Sequence, residues 1–365
     1  MIINDLVIRG DEKIIFALRK LYESRGYSQY KMIKFEEYDL YVRNKDFLAS
    51  ENIITFNDTN GKLMALKPDV TLSIIKNSGD TPEEINKVYY NENVYRVAKS
   101  SHSFKEIMQV GLECLGAVDN FCISEVLTLA AQSLKLISDN CVLSVSDLSV
   151  ITDIIEKATD SSSLRKKLIG FIGDKNQHQL TALCEEEGIS PDITETLAAF
   201  TTLHGSPDKI FDELNKLLPG NKEVKRLESI ILSLDESLRN IIDIDFSFVG
   251  DINYYNGIIF KGFISGIPTG IVSGGQYDKL MKKMGRKSKA IGFAVYLDEL
   301  ERLIEPESDY DADTVILYDD TTDIAMLNKM ISGLTYSGSG AAAFRKIPEK
   351  FRYRQIMDFT NKEAK

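Results

Sequence analysis

The chain has little of what metal, redox and nucleic-acid chemistry require. Its 365 residues include four cysteines and three histidines. Cys114, Cys122, Cys141 and Cys184 show no CxxC spacing, which excludes a zinc knuckle or dithiol redox centre. They read as reduced core residues of a cytosolic protein. His102, His178 and His204 have neither metal-ligand nor nucleophile spacing and read as surface residues. No apolar run is long enough for a membrane span, and Met1–Gly10 lacks the regions of a signal peptide. A cytoplasmic chain with no membrane role is therefore expected. No GxGxxG follows a strand and no GxxxxGK[ST] occurs, so neither nucleotide fingerprint is present. No cofactor and no metal site is expected. Positive charge is also short: 44 Lys and Arg stand against 55 Asp and Glu, for a net charge of −11. A protein that grips nucleic acid replaces counterions with a basic surface. The balance here speaks against nucleic acid as the main ligand. The basic tail residues Arg345, Lys346, Lys350, Arg352 and Arg354 read as a solvated face.

What is present is ordinary for a globular protein: 43% hydrophobic and 27% charged residues. Residues 11–25 place Ile14, Ile15, Leu18, Leu21 and Tyr22 on one helical face, with Gly26 as the residue that ends it. Residues 31–41 read as extended. Residues 53–66 read as a hairpin turning at Asn60-Gly61, and a helix is expected from Pro68-Asp69. Segments 87–96 and 107–116 alternate like two strands joined by a loop. A helix over 121–138 and a short strand ending at 147 follow. From 148 to 240 the pattern is helical, broken at Gly188, Gly205 and Pro219-Gly220. Strands are expected at 244–249, 254–263 and 269–274, a helix at 276–284, and a strand-like start and helical end over 289–304. Residues 311–347 suggest a β-α-β unit, with a loose tail beyond. This order predicts an α+β fold built on an antiparallel sheet flanked by helices, not a doubly wound parallel sheet.

Four segments carry a resemblance. They are FNDTNGKLMALKPDVTLSI (56–74), KVYYNENVYRVAKSSHSFKEIMQVGLECLG (87–116), NYYNGIIFKGF (253–263), and SGGQYDKLMKKMG (273–285) running into AIGFAVYLDELERL (290–303). In this order they resemble the class II histidyl-tRNA synthetase core: its hairpin and following element, its motif 2, its double-tyrosine strand, and its glycine-glycine turn with motif 3. Gly26-Tyr27 resembles motif 1, without the family's usual proline. The resemblance implies a synthetase-like core over 1–306, with a helical insertion at about 148–240. It also implies that 307–365 is a small α/β unit, a reduced remnant of an anticodon-binding domain.

The resemblance also allows a residue-by-residue test of the site. Synthetases hold triphosphate with fixed arginines, whose bidentate, permanent charge suits phosphate. The motif 2 arginine is kept as Arg96. A second loop arginine is replaced by Ser103, the motif 3 arginine by Asp298-Glu299, and the arginine before the paired tyrosines by Gly250. Each lost charge-assisted contact is worth roughly 1.5–3 kcal/mol, so no catalytic residue is assigned. The amino-acid half is kept. Glu113 matches the carboxylate for a ligand ammonium, and Gln109 shares its strand face by period-2 alternation. Asp69 and Thr71 match a polar pair at the helix start, and Tyr254, Tyr255 and Tyr277 supply aromatic walls. With Arg96, these residues imply a site for free histidine. Each also has a plainer reading: Glu113 as an ion-pair partner of Arg96, the tyrosines as ordinary strand residues, and Gly274-Gly275 as a turn alone.

Synthetase relatives that lose both catalysis and the anticodon domain include the regulatory subunits of ATP phosphoribosyltransferase. ALKPDVT at 65–71 resembles their form, with aspartate where synthetases carry glutamate. That likeness implies a non-catalytic partner of a short-form catalytic subunit in histidine biosynthesis, with histidine as effector and a homodimer within a hetero-oligomer. The alternatives are a histidyl-tRNA synthetase-like enzyme and a tRNA-sensing module.

Overall fold

A computed structural model describes residues 10–48, 53–98, 103–250, 254–302 and 310–360. Residues 11–302 form one compact unit and 310–360 belong to a second. The expected boundary at 306/307 lies outside the described residues, as does His102.

The elements run α1 (Gly10–Glu23), β1 (Ser28–Gln29), β2 (Phe35–Glu37), α2 (Tyr38–Arg43), β3 (Thr55–Asn57), β4 (Leu63–Leu66), α3 (Thr71–Asn77), β5 (Ile85–Val97), β6 (Phe104–Gly116), α4 (Asn120–Ile137) and β7 (Cys141–Asp147). Next come α5 (Leu148–Ala158), α6 (Ser162–Gly173), α7 (Gln177–Glu186), α8 (Pro191–Phe200), β8 (His204–Gly205), α9 (Pro207–Leu217), α10 (Lys222–Leu232) and α11 (Glu236–Arg239). The unit closes with β9 (Ile242–Asp245), β10 (Ile258–Ile264), β11 (Val272–Gln276), α12 (Asp278–Lys283), β12 (Lys289–Tyr296) and a 3-10 turn at Asp298–Arg302.

Nine strands form one sheet in the order β1-β5-β6-β12-β11-β10-β7-β9-β8. Its centre is antiparallel, as expected. Two pairings, β1 with β5 and β7 with β9, are parallel, so the sheet is mixed. The face carrying Tyr89, Leu112, Phe293 and Phe260 is buried under α1 and α4. Tyr22 of α1 meets the Phe293 ring edge-on at 5.9 Å. The helical insertion is tied to the sheet by charge as well as by apolar packing. Asp147, fully buried at the end of β7, accepts from Ser149 N as the N-cap of α5. It also pairs with Arg226 Nη2 of α10 at 2.5 Å. A side sheet, β2-β4-β3, packs with α2 and α3 against the other face.

Several expectations need correction. The segment expected to stay extended over 31–41 turns helical at Tyr38: Tyr41 is buried, and the Asn44 side chain bonds Leu40 O at 2.8 Å. The helix expected from Pro68 begins at Thr71, with Asp69 Oδ1 accepting from Leu72 N. β10 begins at Ile258, not 254. The Gln276 side chain takes the Ile258 N–H at 3.0 Å and fills the space beside Gly257, so ladder pairing starts only after it. Tyr254 and Tyr255 therefore precede the strand.

In the second unit, β13 (Ala312–Leu317), α13 (Ile324–Tyr336) and β14 (Ala341–Phe344) make the expected β-α-β unit. The tail expected to be loose instead supplies β15 (Tyr353–Asp358). It pairs parallel to β13 on the side opposite β14.

Candidate functional site

Strand alternation and register build a cavity on the face of the sheet opposite α1 and α4. Lys261, Ser273, Ala294, Gly111 and Tyr90 stand side by side across β10, β11, β12, β6 and β5. The next row on the same face is Ile259, Gly275, Gly292, Glu113 and Val88. Half of these residues are Gly, Ala or Ser, so the floor is low where they meet, and a hollow of about 320 Å³ opens above it. Larger residues would close it. A Cβ at Gly292 would overlap Glu113 Oε2, and one at Gly111 would overlap the Tyr90 hydroxyl.

Side chains from three other segments wall the hollow. Asp69 and Thr71 enter with α3. Tyr254 and Tyr255 come from the segment before β10, and Tyr277 from the N-cap of α12. Glu113, 2% exposed, accepts from Thr71 Oγ1 at 2.8 Å and from the Tyr277 hydroxyl at 2.6 Å. Burial pushes its carboxyl up to about 8. The two hydroxyl donors pull it down, and nearby Asp69 adds to the rise. Burial also raises Asp69, against the pull of the Leu72 amide and Arg96. The three tyrosines form one aromatic wall: Tyr254 lies 4.6 Å from Tyr255 and 5.8 Å from Tyr277 between ring centroids. Burial and the Glu113 charge hold the Tyr277 phenol well above its ordinary range.

All eight residues singled out from the sequence line this one cavity: Asp69, Thr71, Arg96, Gln109, Glu113, Tyr254, Tyr255 and Tyr277. The alternative pairing of Glu113 with Arg96 is not found. Arg96 Nε donates instead to Pro68 O at 3.1 Å, and no ion pair joins the two among the described residues. Gln109 is 3% exposed, and its Nε2 has no hydrogen-bond partner among the described residues. Of the positions where the resemblance expected arginine, Gly250 lies on the cavity wall, with φ at +54°. Ser103 is exposed, and neither it nor Asp298-Glu299 is among the lining residues. His178 and His204 are exposed. No metal-binding cluster of His, Cys, Asp and Glu occurs among the described residues. No described helix is long and apolar enough to cross a membrane.

Sequence reasoning missed Tyr90, Lys261, Ser273 and Tyr296, which also line the cavity. Tyr90 and Lys261 lie inside the quoted segments, but only the strand register reveals that they share a face with Glu113. Chemically, the hollow offers a buried carboxylate with two hydroxyl partners, a second carboxylate, an aromatic wall, an amide donor and two cations. That set suits a small zwitterion with a ring.

The family model for histidyl-tRNA synthetase matches residues 8–300. An ATP phosphoribosyltransferase regulatory subunit from Acetivibrio thermocellus is 28% identical over 287 residues, 76% of this chain and 68% of that protein. Among solved structures, an ATP phosphoribosyltransferase regulatory subunit/histidyl-tRNA synthetase from Bacillus halodurans aligns with a TM-score of 0.79 at 18% identity. That alignment covers 96% of this chain and 94% of the other. A chain of the ATP phosphoribosyl transferase (HisG:HisZ) complex from Thermotoga maritima aligns with a TM-score of 0.62 at 19% identity, covering 81% and 98%. At these identities the structural matches establish the fold.

Proposed function

The chain belongs to the histidyl-tRNA synthetase family, and from that membership we propose that it serves as the non-catalytic regulatory subunit of ATP phosphoribosyltransferase in histidine biosynthesis. The observation that carries this reading is the unequal state of the cavity. Its amino-acid end is assembled around Glu113, Thr71 and Tyr277. Its wall at Gly250 has no side chain, and Ser103 and Glu299, which lie outside the lining, stand where the resemblance expects cations. Phosphoryl chemistry needs preorganised positive charge at the developing anion. A site that keeps the amino-acid contacts but, of the arginines that the resemblance expects, only Arg96 suits a sensor better than a ligase. The regulatory-subunit name of the Acetivibrio thermocellus relative supports the same reading.

In this role the chain pairs with a short-form catalytic subunit in the cytoplasm, as a homodimer within a hetero-oligomer, and free histidine binds the cavity as effector. The net charge of −11 favours this over a tRNA-sensing module. The α/β unit that contains β13, α13, β14 and β15 then has no tRNA role. The test is co-expression with the cognate catalytic subunit. A stable complex with raised phosphoribosyltransferase turnover is expected; no complex and no gain would sink the proposal. Histidine-dependent pyrophosphate–ATP exchange by the purified chain would instead establish a ligase. Calorimetry should show histidine binding that is lost in Glu113→Ala, and equal affinity in the two proteins would remove histidine from this cavity.

A further inference from the structure

One cation in the cavity has no hydrogen-bond or ion-pair partner among the described residues. Lys261 lines the hollow from β10. Among the described residues its ammonium makes no ion pair or hydrogen bond, only a contact 5.6 Å from the Phe263 ring centroid. Its stem lies over Gly270, where a Cβ would overlap Lys261 Cε and press on its Cγ at 2.7 Å. The other cation, Arg96, is already engaged with Pro68 O and lies electrostatically beside Asp69. Gly250, on the same wall as Ile259 and Tyr255, contributes no charge. The carboxylates Asp69 and Glu113 are carried by other segments. Glu113 lies three strands from Lys261, about 14 Å at ordinary strand spacing. The cavity is thus polarised, with acid at the β6 end and an unpaired ammonium at the β10 end.

We propose that Lys261 is the specificity residue that takes the ligand's α-carboxylate, so that the cavity distinguishes an amino acid from the corresponding amine. This rests on the reading that free histidine occupies the cavity. The amine and ring then face the Glu113 end. The buried Gln109 amide, which has no acceptor of its own, finds one on the ligand. An ammonium without an acceptor in a partly dehydrated hollow gains most from an anion, because charge-assisted bonds strengthen as water is excluded.

The experiment compares L-histidine with histamine, which lacks only the carboxylate, by calorimetry on the full chain and on Lys261→Met and Lys261→Arg. Methionine keeps the apolar stem over Gly270 and removes the charge, so melting curves should stay close to wild type. Wild type should prefer histidine by about 10- to 100-fold, the range of one charge-assisted hydrogen bond. Lys261→Met should lose that preference through weaker histidine binding while histamine affinity stays constant, and Lys261→Arg should retain most of it. Equal binding of the two ligands by wild type, or an undiminished preference in Lys261→Met, would overturn the role of Lys261 and leave histidine binding standing. Failure of wild type to bind either ligand would overturn both.

Discussion

Glu113 should make the protein less stable as pH rises through neutrality, the reverse of the usual carboxylate. Its carboxyl, dehydrated in the cavity, is raised from an ordinary 4.5 to about 8. Between those values the folded protein holds a proton that the unfolded chain has released. Stability depends on pH with a slope set by protons bound in the unfolded state minus those bound in the native state. That difference is negative here, so stability falls from pH 4.5 to about 8 and levels off above it. Each unit is worth about 1.36 kcal/mol, which bounds the effect at roughly 5 kcal/mol. Glu113→Gln supplies the control, since a neutral amide can still bond Thr71 and Tyr277 and does not titrate. Urea unfolding of both proteins at pH 5.5, 7.0 and 8.5 isolates Glu113, because the other titrating groups largely cancel in the difference. The variant should gain on wild type by more than about 2 kcal/mol across that range. A pH-independent difference would refute the argument. A ligand ammonium should draw the carboxyl into its charged form. Histidine binding at pH 7 should therefore release up to about one proton, read as a dependence of the binding heat on the buffer's ionisation heat.

Two further outcomes follow from packing. Arg226→Met removes the partner of the fully buried Asp147 and should cost about 3–5 kcal/mol in chemical denaturation. The deficit should shrink on acidification, since burial already raises the Asp147 carboxyl while Arg226 holds it down; a loss below about 1 kcal/mol would mean that the pair does not anchor the insertion. Gly292→Ala puts a methyl group against Glu113 Oε2 and Leu112 O. It should cost about 1–3 kcal/mol in thermal or chemical melts and weaken histidine binding at least about tenfold; unchanged affinity would show that the carboxyl need not hold its present position.

The cavity lining was legible in the sequence where its residues belong to the motifs that carry the resemblance. Gln109 and Glu113 lie four apart on one strand and must share a face. Asp69 and Thr71 flank a helix start, and Tyr277 ends the glycine-glycine strand. The floor was not legible, because it is made by register. Ser273, Ala294 and Gly111 become neighbours only when β11, β12 and β6 are aligned. Lys261 joins them through a fourth strand. The edges of the fold were obscured for a different reason. β15 alternates weakly, with Arg354, Gln355 and Ile356 all exposed, so it lacks the apolar period that marks a half-buried strand. The start of β10 was misplaced because two tyrosines favour strands, whereas a single glutamine side chain, Gln276, occupies the first ladder position.

The two ends of the cavity are constrained differently, and this bears on how the site could change its work. The acidic end depends on glycines in strand interiors, where any side chain would strike Glu113 or Tyr90. Few substitutions there are tolerated without rebuilding the sheet. At Gly250 the constraint lies in the backbone. With φ at +54°, a non-glycine residue would be held in the left-handed region at about 1–2 kcal/mol. Its Cβ would sit 3.2 Å from Ile259 Cδ1. Placing an arginine there therefore carries a backbone cost in addition to that of packing the side chain. A cation at Lys261, by contrast, needs only a side chain on an existing strand, with Gly270 already leaving room for its stem. The fold can thus vary the charge facing a ligand from β10 while leaving the Glu113 end in place. Charge at the β10 end is therefore easier to change than the carboxyl at the Glu113 end.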